Sequence, residues 1–269
     1  MKTQISVIGC GWLGLPLAKT LVKEGFNVNG STTSKDKIDI LKHFQIKPFT
    51  ITLSTSGISG NYSQFLTGSK TVIINIPPGL RKNPTKNHVA ELTHLIDAIE
   101  KHDITNVLYI SSTSVYKDEA HFPVKTAKSI PNATSNTAKQ IIAIENLLRE
   151  NANFNTTILR FGGLIGEDRH PSKFLSGRDH IPNPEAPINL IHKTDCMAIC
   201  IAILKKELWN VSLNAVYPKH PSKKVYYSKY CKKENLELPK YDYSKESKGK
   251  IIDNTTLVQL LNYTFKAEH

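Results

Sequence analysis

Residues 5–14, ISVIGCGWLG, constrain the fold of this chain more than any other stretch. A short apolar strand runs into Gly9, Gly11 and Gly14 at GxGxxG spacing, and WLGLPLAKTLVKEG then carries helix-forming residues onward. Placed between a strand end and a helix start, each glycine has its own reason. Gly9 permits the tight turn, Gly11 lets the backbone approach a pyrophosphate, and Gly14 allows the helix to pack closely on the strand. The helix N-terminus adds N–H groups and positive potential. The turn therefore predicts a dinucleotide site, with Trp12 and Leu13 between the glycines counted among its contacts.

The same alternation continues. FNVNGSTT reads as a strand, KDKIDILKHF as a helix and IKPFTITL as a strand; a polar, Ser/Gly-rich connection over residues 54–68 leads to TVIINIPPG. Val89, Leu92, Leu95, Ile96 and Ile99 form one buried helical face. NVLYISS, a helix carrying Lys139, and TTILRFGG complete the series. Strands apolar on both faces and alternating with helices predict an α/β, Rossmann-type, doubly wound parallel sheet. Beyond about residue 162, Gly, Pro and His become frequent and the elements short, with helices expected near 194–206, 221–234 and 253–262 and a strand near 211–216. The expected organisation is a Rossmann domain over 1–161 and a smaller C-terminal substrate lobe over 162–269, interleaved with the core.

In an NAD site the second strand ends in an acid that holds the ribose hydroxyls. Here the sequence reads Gly-Ser-Thr-Thr-Ser-Lys, and Thr32, Ser34 and Lys35 offer hydrogen bonds and positive charge to a 2′-phosphate. NADP is the expected cofactor. NAD stays possible, because Asp36 follows at once, and the same residues also read as a helix cap and first turn. Pro77 and Pro78 either line the adenosine side or simply end the strand.

The formal charge of +12 is concentrated late, in ten lysines from Lys219 to Lys250. They read as a solvated face or as a field that attracts an anionic substrate. Nucleic acid is not expected, since no aromatic-basic module is present. No apolar run is long enough to span a bilayer, and QISVIG follows the N-terminus without a leader, so a cytoplasmic location is expected. Cys196 and Cys200 sit four apart as buried apolar residues, and no metal site is expected.

VLYISSTSVYKD, residues 107–118, resembles the fifth-strand motif of extended short-chain dehydrogenases/reductases, the nucleotide-sugar epimerase and dehydratase group. Lys139 with Glu145 is similar to that family's catalytic-lysine helix. LRFGGLIGEDRHP (159–171) resembles its sixth-strand loop, and NLIHKTDCMAICIAIL (189–204) the segment closing its substrate site. GxGxxG departs from the GxxGxxG usual in extended members, and GCGWLGLPLA is most similar to the atypical, YeeZ-like branch. The resemblance implies that Ser112 binds the reacting hydroxyl or carbonyl. It implies that Lys139 holds the nicotinamide ribose and lowers the pKa of a tyrosine four residues before it. Ser135 occupies that tyrosine position.

A phenol with pKa near 10 can be brought toward neutrality by an ammonium. An aliphatic alcohol is a far weaker acid and stops several bonds short. The catalytic expectation is therefore Ser112 and Lys139 with a water held at Ser135, or Tyr116 reaching in. A competing register makes Thr137-x-x-Gln140 a capping box, with Ser135 or Asn136 also able to cap. Arg160, Arg169 and His192 are candidates to face an anionic substrate or to serve structure, and Tyr226 and Tyr227 are expected to pack the small lobe. Two functions follow. One is an NADP(H)-dependent oxidoreductase or epimerase on a small, anionic or sugar-like carbonyl substrate; the other is a non-enzymatic dinucleotide-binding regulator or scaffold. A homo-oligomer is compatible with either.

Overall fold

The computed structural model describes residues 2–266. The chain runs through β1 (Gln4–Ile8), α1 (Gly14–Lys23), β2 (Asn27–Thr32), α2 (Lys37–His43), β3 (Lys47–Ser54), β4 (Gly57–Gly60), α3 (Tyr62–Leu66) and β5 (Thr71–Ile74). It continues with α4 (His88–Glu100), β6 (Asn106–Ser112), β7 (Val124–Lys125), α5 (Asn136–Glu150), β8 (Asn155–Phe161), β9 (Gly163–Ile165) and α6 (Pro171–Leu175). The last elements are β10 (Leu190–His192), α7 (Lys193–Lys205), β11 (Ser212–Ala215), α8 (Lys223–Lys233), β12 (Ile251–Ile252) and α9 (Thr255–Leu261).

Eight strands form one sheet in the order β11-β8-β6-β5-β1-β2-β3-β4. β1 pairs parallel with both β2 and β5, with Val7 opposite Gly30 on one side and Ile73 on the other. The strand order reverses there, so the crevice beyond the C-terminal ends of β1 and β5 is the topological switch point of a doubly wound sheet. The strands beside it bury both faces: every residue of β5 is buried. Leu92, Leu95, Ile96 and Ile99 of α4 pack in one core with Ile8, Val72, Ile74 and Tyr109 of the sheet and with Ile144 and Leu148 of α5. Asn87 starts α4, its side chain accepting the Ala90 N–H at 3.0 Å.

The polar, Ser/Gly-rich connection over 54–68 carries secondary structure of its own. It contains β4, antiparallel to β3, and α3, whose Phe65 and Leu66 are fully buried. The glycines and serines of β4 conceal a strand that backbone pairing to β3 alone creates.

The chain divides into two compact units. One comprises residues up to Ser111, with Ser135–Leu159 and Cys200–Ser212; the other comprises Ser112–Thr134, Arg160–Ile199 and the chain from Leu213 onward. A break in the chain at about 161 is thus too simple a description, because the residues after β6 join the second unit and the end of α7 returns to the first. The second unit has its own core of Ile165, Ile188, Leu190, Tyr226 and Tyr227, and two parallel strand pairs, β9–β10 and β7–β12.

The late lysines are not one solvated face. Lys250 is buried, its ammonium donating to the Tyr116 carbonyl at 2.7 Å and to Asp118 at 2.8 Å. Lys223 donates to the Pro182 carbonyl, while Lys224 and Lys240 pair with Glu185 and Asp179. Among the described residues, no helix is long and apolar enough to cross a membrane.

Candidate active site

In the first unit a cleft of about 370 Å³ lies at the switch point, lined by the glycine turn, the end of β2, the end of β3 and residues 75–77. The turn is tightly pinned. Gly11 N–H donates to Gly9 O at 2.8 Å, Cys10 N–H to Ser31 O at 2.8 Å, and Gly9 N–H to Ser31 Oγ at 3.0 Å. Asn75 Nδ2 donates to Gly9 O at 3.1 Å. Gly9 has φ +100°, and a Cβ there would sit 2.5 Å from the Asn75 carbonyl oxygen; at Gly14 it would sit 2.1 Å from the Gly9 oxygen. At Gly11 an added Cβ meets nothing within 4 Å. Two glycines are therefore needed by the fold, and the third keeps a space open in front of it.

Leu13, the N-cap of α1, supplies no side-chain cap to the first-turn N–H groups, which suits an anion at that end. Gly9, Gly11, Thr32 and Pro77 line the cleft. Leu13 instead belongs to the core, and Trp12, Gly14 and Pro78 also lie off the lining. Cys10 does line it, but burial pushes its thiol up to about 12, so it adds no charge.

At the ribose end the cation on the lining is Lys37, with Ser31, Thr32 and Thr33; Ser34 and the exposed Lys35 are not part of it. Thr32 Oγ1 accepts the Ser34 N–H at 3.1 Å, which turns the chain before α2. Lys35 and Lys37 flank Asp36 in the sequence, and only the true start of α2 selects between them. Asp36 is the N-cap of that helix and also lies off the lining. On the opposite wall Glu91 is held by Lys86 at 2.9 Å and by His88 Nδ1 at 3.0 Å. Burial, ahead of the raising effect of Glu91, lowers the pKa of His88 and keeps the ring neutral. No periodicity or motif marks this pair, because its members meet only through the fold of the 76–91 segment.

In the second unit Ser112 is half-buried and extended (φ −139°, ψ 143°), and its Oγ accepts the Ser114 N–H at 3.1 Å. Its own O–H remains to donate. Tyr116 does not reach out to replace a missing acid: it is 1% exposed. Arg160 Nη1 donates to its Oη at 2.6 Å, with Thr126 O and Asn214 Oδ1 each at 3.1 Å as acceptors. Arg160 is itself 1% exposed, so this candidate substrate contact is a structural partner of Tyr116. Tyr116→Phe is expected to lower stability by about 1–3 kcal/mol, since it leaves buried polar partners unmade. A thermal melt measures that loss, and an unchanged NADPH affinity would assign the residue to structure. Arg169 is exposed on a turn that bonds back to Gly166, and His192 lies 3.7 Å from Glu167.

Ser135, in the first unit, is the N-cap of α5, its Oγ accepting the Ala138 N–H at 3.2 Å. The capping box at Thr137 does not form. Gln140 instead accepts the His88 N–H at 2.7 Å and donates to the Lys86 carbonyl at 3.0 Å. With the helix starting at Asn136, the exposed Lys139 stands one turn on from Ser135, and its N–H donates to Ser135 O at 2.9 Å. Glu145, fully buried further along α5, accepts Ser111 Oγ at 2.6 Å and lies 3.6 Å from Arg149.

A family model described as NAD(P)H-binding matches residues 9–207. Protein YeeZ of Escherichia coli strain K12 is 27% identical over 265 residues, covering 98% of this chain and 96% of its own length. Among solved structures, MoeE5 in complex with UDP-glucose and NAD superposes with a TM-score of 0.79 at 17% identity, over 98% of this chain and 94% of that one. The UDP-N-acetylglucosamine 4-epimerase from Bacillus cereus superposes with a TM-score of 0.78 at 17% identity, over 99% and 92% of the two chains. At these identities the superpositions speak for the fold.

Proposed function

The chain belongs to the NAD(P)H-binding family, as a YeeZ-like member of the extended epimerase/dehydratase superfamily, and from this premise we propose that it is an NADP(H)-dependent oxidoreductase or epimerase acting on a sugar-like carbonyl compound. The observation that carries the reading is the open space at Gly11 beside two glycines that the fold itself requires. A turn built only for packing has no use for it. The pyrophosphate would lie against this turn and the start of α1. Thr32, Thr33 and Lys37, on the cleft lining, would meet the ribose 2′-phosphate; the resemblance to the family's lysine helix assigns Lys139, which lies off that lining, to the nicotinamide ribose. The bound nicotinamide would supply or accept hydride. Ser112, whose Oγ accepts the Ser114 N–H, would donate a hydrogen bond to the substrate oxygen and keep its proton, with water as the proton source. The UDP-sugar complexes of similar fold support a nucleotide-linked sugar as substrate.

The preference for NADP is testable at Lys37. A charge-assisted contact is worth about 1.5–3 kcal/mol, so Lys37→Ala is expected to weaken NADPH about 10- to 100-fold in a calorimetric titration and leave NADH nearly unchanged. Lys35→Ala is expected to do little to either. A wild type that prefers NADH would overturn the assignment. A second reading, a dinucleotide-binding regulator without turnover, is favoured by one observation: the residue one turn before Lys139 is a serine that caps α5, in place of a phenol able to act as the acid.

A further inference from the structure

Glu91 lines the dinucleotide cleft from the first turn of α4, although it is 6% exposed. One of its oxygens is fully used. Oε2 meets the Lys86 ammonium at 2.9 Å and accepts from His88 Nδ1 at 3.0 Å. The other, Oε1, has no hydrogen-bond partner among the described residues, and it is not sealed off from the cleft. Each carboxylate oxygen has room for two hydrogen bonds, so a bare one on a cleft wall is an acceptor waiting for a donor.

The neighbours fix that carboxylate in place. His88 is fully buried, and its neutral ring has one N–H to give. Giving it to Glu91 leaves Nε2 without a partner among the described residues. An interior that needed only packing would carry an apolar ring there and avoid the bare nitrogen. Gln140 of α5 accepts the His88 N–H at 2.7 Å and donates to the Lys86 carbonyl at 3.0 Å, which holds the backbone of both. His94, one turn beyond Glu91, donates to Thr55 O at 3.1 Å and ties α4 to the chain leaving β3. Glu91 and Lys86 share the cleft lining with Ile51, Leu53 and Ile76, an apolar surface that suits the face of a flat ring.

We propose that Glu91 and Lys86 read the edge of the cofactor's base and make the cleft select a 6-amino purine over a 6-keto purine. Oε1 accepts from the exocyclic amino group. The Lys86 ammonium, with N–H bonds left over after Glu91, donates to the ring nitrogen beside it. Adenine offers this donor next to this acceptor, whereas a 6-keto purine puts a carbonyl oxygen in the amino position. Two acceptors would then face each other, and a site built around a hydrogen bond rejects the analogue that cannot make it. This selectivity rests on the dinucleotide reading and adds to it the residues that choose the base.

Calorimetric titration of the full chain with NADPH, and with the analogue that carries hypoxanthine in place of adenine and keeps the 2′-phosphate, tests the proposal. The wild type is expected to bind NADPH about 10- to 100-fold tighter, the scale of one hydrogen bond to a charged group. Glu91→Gln is expected to bring the two within about threefold, because an amide can turn either its oxygen or its NH₂ to the base. Lys37→Ala should weaken both and leave their ratio unchanged. His88 acts as a positioning residue. His88→Leu should shrink the ratio, and His88→Asn, whose amide N–H stands near the place of Nδ1, should restore it. A purely structural role would lower both affinities together and leave the ratio alone. The wild-type comparison needs no substitution, so a variant that fails to fold does not remove the test. Equal affinities in the wild type, or a Glu91→Gln variant that discriminates as the wild type does, would overturn the assignment while NADPH binding stands. Binding of neither dinucleotide would overturn the dinucleotide reading, and this selectivity with it.

Discussion

Gly11→Val is expected to abolish binding of both NADPH and NADH while the protein stays folded. A Cβ at this position meets no atom within 4 Å, and the backbone is not in the left-handed region, so the valine itself is tolerated. Its side chain would fill the space through which a pyrophosphate reaches the turn. Losing two charge-assisted contacts at about 1.5–3 kcal/mol each predicts a fall in affinity of roughly 10²- to 10⁴-fold. Gly14→Ala should behave in the opposite sense, because its Cβ would lie 2.1 Å from the Gly9 carbonyl oxygen and the helix must move away from the strand. A circular-dichroism melt beside a cofactor titration separates the two. If Gly11→Val melts normally and binds normally, the phosphate turn has been misassigned.

Ser135→Tyr is expected to create or raise turnover of a carbonyl substrate by about 10²- to 10⁴-fold, the usual contribution of a positioned general acid. The phenol would stand one turn before Lys139, whose ammonium favours the phenolate. Adding Lys139→Ala should remove the gain, since an unassisted phenol keeps a pKa near 10. The substitution also removes the Ser135 cap from Ala138 N–H, so the variant should lose about 1 kcal/mol of stability, visible as a lower melting temperature. The two readouts are separable: lost stability reports the cap, gained turnover reports the site. A screen of keto sugars and aldehydes with NADPH supplies the substrate. Wild-type turnover that falls with Ser112→Ala would establish the enzyme reading. A silent wild type beside an active tyrosine variant would favour the non-enzymatic binder, and a folded, NADPH-binding tyrosine variant without activity would count against the placement of Lys139.

The α/β alternation, the glycine turn and the buried face of α4 are legible along the chain because their causes are local. Hydrophobic periodicity and glycine spacing act over a few residues, and the six strands expected first are the six that lie together, from β8 to β3. The late helices fall within two residues of their expected limits for the same reason. The cap at Ser135 was among the local alternatives, and helix geometry chose it over Thr137.

What only the tertiary structure decided are the features whose partners are distant in sequence. β4 exists because β3 pairs with it, not because GISG prefers a strand. Lys37 rather than Lys35 lines the cleft, because α2 begins at Lys37 and Lys35 stands exposed in the turn before it. Tyr116 is a structural residue because Arg160 and Asn214, 44 and 98 residues away, close around its hydroxyl. A cleft within the second unit draws on the loop after β9, on β10, on the loop after β11 and on α8, and no window of sequence contains it. A side chain's burial and charge environment are set by what the fold brings to it, and that information is long-range.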